Sequence, residues 1–321
     1  MNQGFALFFR LFSGLFALII LLFPALPRAP RNLSSPDRIH FLKVGTSDAI
    51  VLESDGHFAM VDAGEDTDNP RGFANLELEG HEQEVLAYLK EHAAGKDGKV
   101  HLDFVLGTHA HSDHIGGFDT VILDPDVFVS RAYLKEYDSS KIDEYEVREW
   151  DNQEVYDQMV DALGKRNVPI IQGPDMAPFE FGNFKVTIFN ADDPENAEKV
   201  GENDRSLGVL LEKNGTKVFL SGDMNDFTGD ETRLAPEIGK VNLLKLGHHG
   251  FNGSTTEGFV ETLNPDACVV TNNRDFGLME KFSMIIKKCG HNKIYMTGIE
   301  NGVLAVIGDG GEIKFYGQIQ K

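Results

Sequence analysis

The chain has 321 residues, 41% hydrophobic and 25% charged, and its 51 acidic residues outnumber 30 basic ones to give a formal charge of −21. This composition excludes a disordered chain, and the acidity argues against a general nucleic-acid coat protein, which would carry a basic footprint. Two cysteines, Cys268 and Cys289, are too few for a disulfide framework or a thiolate-rich zinc site.

Residues 1–35 differ from the rest of the chain, because they hold three arginines, no acidic residue and the apolar run Leu11–Leu26. A basic start before an apolar run of this length predicts a secretory signal peptide. The alternative is an uncleaved membrane anchor, since extending the run back to Gly4 gives enough residues to span but places Arg10 inside it. Both interpretations put the folded body outside the cytoplasm, where a disulfide between the two cysteines is permitted.

From residue 37 onward, short apolar runs alternate with helical patterns. Strands are predicted over residues 39–44, 49–54, 57–62, 102–108, 184–190, 206–212, 216–222, 241–247, 267–272, 293–297, 302–308 and 312–316. Helices are predicted over residues 82–93 and 153–164, after the capping-box spacing of Ser254 and Glu257, and near residues 280–288. No linker divides residues 37–321, which predicts one α/β domain, a mixed sheet sandwich covered by helices.

The motif H-x-H-x-D-H, formed by His109, His111, Asp113 and His114, directly follows the predicted strand at 102–108. In an extended segment residues two apart point the same way, so His109 and His111 can bind one metal. The next two ligands come where a glycine-containing turn folds the chain back, and they can face a second metal. Imidazole with carboxylate suits zinc, and iron or manganese would also accept this set.

Three further predicted strands end in residues of the same kinds. One ends in Asp223, another is followed by His248 and His249, and the third ends in Asp62. Strand ends of this type hold the sites of open α/β sheets. Several strand ends that supply histidine or carboxylate predict a two-metal hydrolase.

With these motifs in this order, the sequence resembles the metallo-β-lactamase superfamily of hydrolases over about residues 37–318. The resemblance implies a four-layer αββα sandwich with a dinuclear, usually zinc, site at one edge. It implies the following metal ligands: His109 and His111 for the first metal, Asp113, His114 and His248 for the second, and Asp223 as the bridge between them.

The resemblance also implies roles beside the metals. His249 would lie next to the substrate and stabilise charge or assist the leaving group, although the roles of His248 and His249 are interchangeable at this stage. Asp113 is an alternative proton acceptor. Asp62 would orient the ligand imidazoles.

The sequence departs from the family pattern at one ligand, because no histidine lies between His114 and His248. Residues 202–207 fall where that ligand is expected, so the first metal would be weaker or would use Asn203, Asp204 or water. This departure disfavours a true β-lactamase. The sequence is more similar to the hydrolase domain of ComEC-type competence proteins and to phosphorylcholine-esterase-like secreted enzymes.

Substrate contacts are predicted in two places. Arg205 would contact a phosphate or lie on the surface, and Lys245 is interpreted as a structural lysine that reaches solvent. The segment 133–156 holds four of the seven tyrosines and the only tryptophan among many acidic residues. It is either an acidic surface insertion or a cover for the substrate, in which Tyr145 and Trp150 would suit a cationic group such as choline.

These observations predict an exported or membrane-anchored metal-dependent hydrolase of a phosphoester or phosphodiester. The alternatives are a lactone or thioester hydrolase, a DNA-degrading nuclease of the competence type and a non-catalytic metal-binding module. Without the three arginines of the leader the body carries a charge of about −24. A long nucleic acid needs a basic track, so the charge favours a small or cationic-headed phosphodiester, drawn by the local charge of the metals.

Overall fold

The computed structural model describes residues 26–30, 33, 35–67, 79–192, 199–273, 282–290 and 293–321. Most of the leader lies outside these ranges, so its two interpretations stay predictions. In the part of the chain that is described, no helix is long and apolar enough to cross a membrane.

The first sheet begins with the antiparallel strands β1, β2 and β3 and continues in parallel through β4. Its strands are β1 Arg38–Phe41, β2 Ala49–Ser54, β3 His57–Ala63, β4 Val100–Leu106, β5 Val127–Val129, β6 Ala132–Tyr133, β7 Ile170–Ile171, β15 Val303–Ile307 and β16 Ile313–Gly317. Their order is β16-β15-β1-β2-β3-β4-β6-β7, with β5 also paired to β4. Asp55 and Gly56 close the β2–β3 hairpin with φ of 50° and 84°, the backbone that a two-residue turn needs.

The second sheet is antiparallel on one side and parallel on the other. Its strands are β8 Phe179–Phe181, β9 Phe184–Phe189, β10 Gly208–Lys213, β11 Thr216–Leu220, β12 Leu243–Lys245, β13 Ala267–Val270 and β14 Ile294–Met296. Their order is β14-β13-β12-β11-β10-β9-β8. The turn between β10 and β11 is Asn214-Gly215, again with both φ values positive.

Helices cover the outer faces of both sheets. They are α1 Glu82–His92, α2 Ser112–Ile115, α3 Phe118–Leu123, α4 Glu144–Glu149, α5 Asn152–Lys165, α6 Asp230–Ile238, α7 Glu257–Leu263, α8 Phe282–Cys289 and α9 Thr297–Glu300. Apolar residues of α1, α3 and α5 share one core with the first sheet, and those of α6, α7 and α8 share another with the second. A third core, which includes Phe104 and Val209, lies between the sheets. The predicted four-layer αββα sandwich is therefore confirmed.

The predicted strands and helices are observed with shifts of a few residues, but the start of α7 differs from the prediction. Thr256, not Ser254, caps the helix, and its side chain accepts a hydrogen bond from the backbone N–H of Phe259. Ser254 instead donates to the carbonyl of Asp223, 3.2 Å away. The capping-box spacing therefore predicted the helix but not the residue that caps it.

Candidate metal centre

The predicted site residues meet at one edge of the sandwich, where strands of both sheets end. Asp62 lies at the end of β3 and His109 follows β4, both in the first sheet. Asp223 follows β11 and His249 follows β12, both in the second sheet. The site thus forms where the carboxyl ends of parallel strands come together.

Four side chains at this edge form a compact ligand cluster: the ligand atoms of Asp113, His114, Asp223 and His249 all lie within 4.8 Å of one another. The Nε2 atom of His249 is 3.2 Å from Asp113 Oδ2 and 3.4 Å from Asp223 Oδ2. The Nε2 atom of His114 is 3.2 Å from Asp223 Oδ1. We call these four residues the four-ligand cluster.

His109 and His111 form a separate pair beside this cluster. The Nε2 atom of His109 lies 3.0 Å from the Nδ1 atom of His111, and both residues are buried. The two nitrogens therefore face the same point, as the H-x-H spacing predicts. Among the described residues, no third histidine, cysteine or acidic ligand joins this pair within the same reach. We call it the histidine pair.

Hydrogen bonds fix which nitrogen of each ring in the four-ligand cluster is available to a metal. The carboxylate of Asp62 lies 2.8 Å from Nδ1 of His114 and can only accept, so this nitrogen donates, and in the neutral ring Nε2 is the unprotonated nitrogen. The carbonyl of Thr271 lies 3.1 Å from Nδ1 of His249 and has the same effect. In both rings Nε2 is the atom that faces the acidic ligands.

The histidine pair is oriented in the same way. The hydroxyl of Thr108 donates to Asp62, 2.8 Å away, and therefore accepts from Nδ1 of His109 at 3.0 Å, which leaves Nε2 unprotonated. The carboxylate of Glu146 accepts from Nε2 of His111 at 2.8 Å, which leaves Nδ1 unprotonated. Asp62 thus has the orienting position predicted for it, and it acts on His109 through Thr108.

The backbone turn after β12 determines which of the two adjacent histidines, His248 or His249, faces the four-ligand cluster. His248 and His249 have φ of 50° and 48°, a left-handed backbone that costs free energy in residues other than glycine and is typical of functional sites. This turn directs His249 into the four-ligand cluster, where Asn272 donates to its carbonyl at 3.0 Å. His248 is only half-buried, and its Nδ1 lies 3.2 Å from the carbonyl of Asn252. The structure thus groups His249, not His248, with the other candidate ligands, which favours the alternative in which the two histidines exchange their predicted roles.

Lys245 and Asp48 form an ion pair beneath the cluster, and the interpretation of Lys245 as a lysine that reaches solvent is wrong. Its side chain is completely buried, donates to the carbonyl of Gly222 at 2.9 Å and lies 3.6 Å from Asp223. Burial disfavours the charged ammonium, but Asp48 and Asp223 outweigh it and raise the pKa of Lys245. Sequence reasoning missed Asp48, because nothing in the loop before β2 distinguishes it from a surface aspartate.

The charges of the four-ligand cluster fit divalent cations. Burial alone would raise the pKa of Asp223, yet His114 and His249 lower it well below its usual range. Burial alone would lower the pKa of His114, yet Asp223 and Asp62 raise it to about 10. Positive charge at this point therefore stabilises the ionised carboxylates. A divalent cation supplies that charge in place of the protons, and aspartate with imidazole is a ligand set that zinc accepts.

The residues predicted near the missing histidine have different surroundings. Arg205 is buried and donates to the carbonyl of Glu136 at 2.8 Å, so the interpretation as a surface arginine is wrong, and its contact with a phosphate stays a prediction. Asp204 accepts from the hydroxyl of Thr228 at 3.0 Å. The amide oxygen of Asn203 is buried and accepts no hydrogen bond in the described structure, which makes it the better of the two candidate ligands.

The segment 133–156 reaches the site through Trp150, one of the two aromatic residues expected there, and through Glu146, which was not expected. The ring of Trp150 lies against the ring of His111, with centroids 4.8 Å apart. Tyr145 is 54% exposed, and the guanidinium of Arg148 already lies 5.7 Å from the centre of its ring. Glu146, on helix α4, was not predicted, since one acid among many in this segment carries no signal of its contact with His111.

Comparisons with known proteins agree with this architecture. A family model described as the beta-lactamase superfamily domain matches residues 60–247. The chain is 24% identical over 214 residues to ComE operon protein 3 of Bacillus subtilis (strain 168), over 64% of this chain and 25% of that protein. It is 24% identical over 266 residues to Recombination protein 2 of Haemophilus influenzae, over 81% of this chain and 27% of that protein. The chain thus spans about a quarter of the length of these relatives.

Among solved structures, the chain is similar to the metallo-beta-lactamase fold protein YhfI from Bacillus subtilis, with a TM-score of 0.48 and 12% identity. The likeness covers 82% of this chain and 97% of that one.

Proposed function

The chain belongs to the beta-lactamase superfamily, and from this premise we propose that it is a hydrolase that cleaves a phosphodiester with two divalent metal ions, and that these ions are zinc. One observation carries the proposal. Four imidazoles are each hydrogen-bonded on one ring nitrogen. The other nitrogens of His114 and His249 face the carboxylates of Asp113 and Asp223, and those of His109 and His111 face each other. This is the arrangement in which histidines bind metal.

The described residues suggest how the two metals would be held. The histidine pair would hold the first, Asp113, His114 and His249 the second, and Asp223 would lie between them. When bound, the cations supply Lewis acidity, which activates water at neutral pH and neutralises charge on the substrate oxygens. Asp113 is the most exposed member of the four-ligand cluster, with 17% of its side chain accessible, and could accept a proton from the attacking water.

His248 is the candidate for a contact with the substrate. It is half-buried beside His249, and burial lowers its pKa, so its imidazole is neutral at pH 7. A neutral imidazole has one N–H donor and one acceptor nitrogen. It can donate a hydrogen bond to a substrate oxygen without adding charge to the site.

A small phosphodiester remains our preferred substrate, because the charge of about −24 on the body disfavours a long polyanion. A nuclease is the second candidate, supported by the name of the relative Recombination protein 2. We further propose that the folded domain, residues 37–321, acts outside the cytoplasm, because residues 1–35 are predicted to be a signal peptide or a membrane anchor. A choline group on the substrate stays a prediction, and so does the alternative that the protein hydrolyses a lactone.

The test is metal analysis of the full chain together with turnover of bis-p-nitrophenyl phosphate, p-nitrophenyl phosphorylcholine, linear DNA and a lactone. We expect metal-dependent phosphodiester turnover, lost in His111→Ala and kept in His57→Ala, because His57 is a half-exposed histidine of β3 paired only with Asp103. If the fully metallated protein hydrolyses none of the phosphodiesters, the proposal is wrong. Turnover of DNA alone would favour the second candidate.

A further inference from the structure

We propose that Glu146 is a positioning residue for the first metal, and that helix α4 was recruited to support a metal position that lacks its third histidine. The inference rests on the proposed function and assigns a task to a segment that the hydrolase chemistry leaves unexplained. The hydrogen bonds of Glu146 go to His111, Asn152 and Glu202, and none goes to the four-ligand cluster. It acts through His111.

The contacts of Glu146 are those of a side chain held in one orientation. Its Oε1 atom accepts from Nε2 of His111 at 2.8 Å and from the side-chain amide of Asn152 at 2.7 Å. The backbone N–H of Glu202 donates to the same carboxylate at 3.0 Å. Three donors from three parts of the chain thus converge on this carboxylate, although it belongs to an otherwise exposed helix.

These contacts matter because of what the histidine pair lacks. The four-ligand cluster gathers four ligand groups within 4.8 Å, whereas no acidic, cysteine or histidine side chain of the described residues joins the two rings of the pair within that distance. With fewer ligands, the free energy of binding depends more on each ring being held in the correct orientation and tautomer. The acceptor on the outer nitrogen provides both, and its loss typically costs 10–100-fold in metal affinity.

Trp150 completes the support. It follows α4 directly and places its ring against His111, with centroids 4.8 Å apart and an interplanar angle of 37°. One face of the His111 ring is therefore covered by an apolar ring while its edge is held by Glu146. Both residues come from the acidic, aromatic segment 133–156, so this segment is part of the metal centre rather than a surface insertion.

The experiment compares zinc binding to the full-length protein and to Glu146→Ala, Glu146→Gln and Glu144→Ala, by calorimetric titration and by metal analysis after dialysis. Glu144 is the matched control, because it lies on the same helix, carries the same charge and pairs only with exposed Lys199. We expect wild type to bind two equivalents. Glu146→Ala should keep the tighter one and weaken the other by 10–100-fold. Glu146→Gln, whose amide oxygen still accepts from His111, should recover most of the loss.

Each other outcome is decisive. Unchanged binding in Glu146→Ala overturns this inference and leaves the proposed function standing, and so does an equal loss in Glu144→Ala, which would reveal a general charge effect. Equal weakening of both equivalents, with the melting curve unchanged, would show that Glu146 does not serve one metal. A wild-type protein that binds no metal would overturn the proposed function together with this inference.

An independent observation concerns the two cysteines, and from it we infer that Cys268 and Cys289 form a disulfide in the mature protein. Both thiols are buried, and their Sγ atoms lie 2.8 Å apart, within about 1 Å of a covalent S–S bond. Cys268 belongs to β13 and Cys289 to the end of α8. The bond would fasten α8 to the strand that leads to Thr271, the residue that orients His249.

The chemistry is an ordinary exchange with a disulfide oxidant such as glutathione disulfide. The two thiols lose two protons and two electrons and form one S–S bond, and the oxidant is reduced to two thiols. The test is thiol titration of the denatured full chain after incubation with glutathione disulfide. We expect no free thiol in wild type, two after reduction, and a lower melting temperature for the reduced protein. Two free thiols before reduction, or no change in melting temperature, would overturn the inference.

Discussion

The four-ligand cluster and the histidine pair lie side by side but differ in how they are built. The cluster draws its ligands from the ends of strands in both sheets, and the buried ion pair of Lys245 with Asp48 lies beneath it. The pair belongs to one segment after β4, and the residues that orient its rings are a threonine and a glutamate on a short helix. The cluster is thus built into the sandwich, whereas His111 of the pair is oriented by a residue of the short helix α4.

The acidic residues around the four-ligand cluster and around the histidine pair also differ in their pKa values. In the cluster, burial is outweighed by histidines, and the pKa values of Asp113 and Asp223 are lowered. Beside the pair, burial dominates and raises the pKa of Asp151 and of Glu202 to about 6. The acids beside the first position are thus harder to ionise than those of the cluster, and a bound cation would favour their charged form. We expect the second metal to bind more tightly, because the four-ligand cluster offers it more ligand groups.

The largest effect is expected for Asp223→Asn, because Asp223 contacts two rings of the cluster and would lie between the two metals. The tight equivalent of metal should be lost, and kcat/KM should fall by at least about 1000-fold, roughly 4 kcal/mol of transition-state stabilisation. Steady-state kinetics and metal analysis measure both. Asp161→Asn, on the exposed face of α5, is the control and should behave as wild type.

Lys245→Met tests whether the cluster depends on the ion pair beneath it. Removal of the ammonium leaves Asp48 buried without its partner, which should lower the free energy of unfolding by about 3–5 kcal/mol. Urea denaturation measures the change. The double variant Lys245→Met/Asp48→Leu should recover most of it, and a loss below about 1 kcal/mol in the single variant would mean that the pair adds little.

Asp62→Ala should weaken both metal positions rather than one of them. Asp62 holds His114 directly and His109 through Thr108, so both equivalents of metal should weaken by about 10–100-fold. In Glu146→Ala only one should weaken. Calorimetric titration separates the two patterns, and selective loss of the tight equivalent in Asp62→Ala would show that Thr108 orients His109 without it.

The smallest effect is expected for Asp151→Asn in metal-free protein. The carboxyl of Asp151 has a pKa of about 6 in the folded protein against 3.8 ordinarily. Its ionisation therefore lowers the free energy of unfolding at pH values above 6. This loss disappears below pH 3.8, where the carboxyl is protonated in both the folded and the unfolded protein. The amide should therefore stabilise the protein by about 1–2 kcal/mol at pH 8, and this gain should vanish as the pH falls from 6 to 4. Denaturation curves at pH 8, 6 and 4 measure the trend, and a gain that is constant with pH would contradict it.

Local patterns were sufficient to predict most of the fold. Alternating and continuous apolar runs predicted the long strands, and His109, Asp113, Asp223 and Asp62 could be placed at one edge because each follows a recognisable strand. The choice between His248 and His249 could not be made from the sequence. It depends on a left-handed turn at both residues, and neither residue type indicates that conformation.

The contacts that sequence reasoning missed are all between distant segments. Asp48 pairs with Lys245, which lies nearly 200 positions later, and Glu146 meets His111 across 35 positions. Nothing local distinguishes such residues from acids at the surface. Arg205 was misjudged for the same reason, because its burial follows from packing against a segment that contains Glu136.

The ion pair between Asp48 and Lys245 has a consequence for how the protein matures. Asp48 comes from the loop before β2 in the first sheet, and Lys245 from β12 in the second. The four-ligand cluster above this pair likewise takes its residues from both sheets. Neither sheet can therefore form the cluster alone. A chain whose two sheets are folded but not yet docked would have secondary structure and no tight metal position. Acquisition of the tight metal would therefore report the docking of the two sheets, and metal supplied early in folding would favour the docked state.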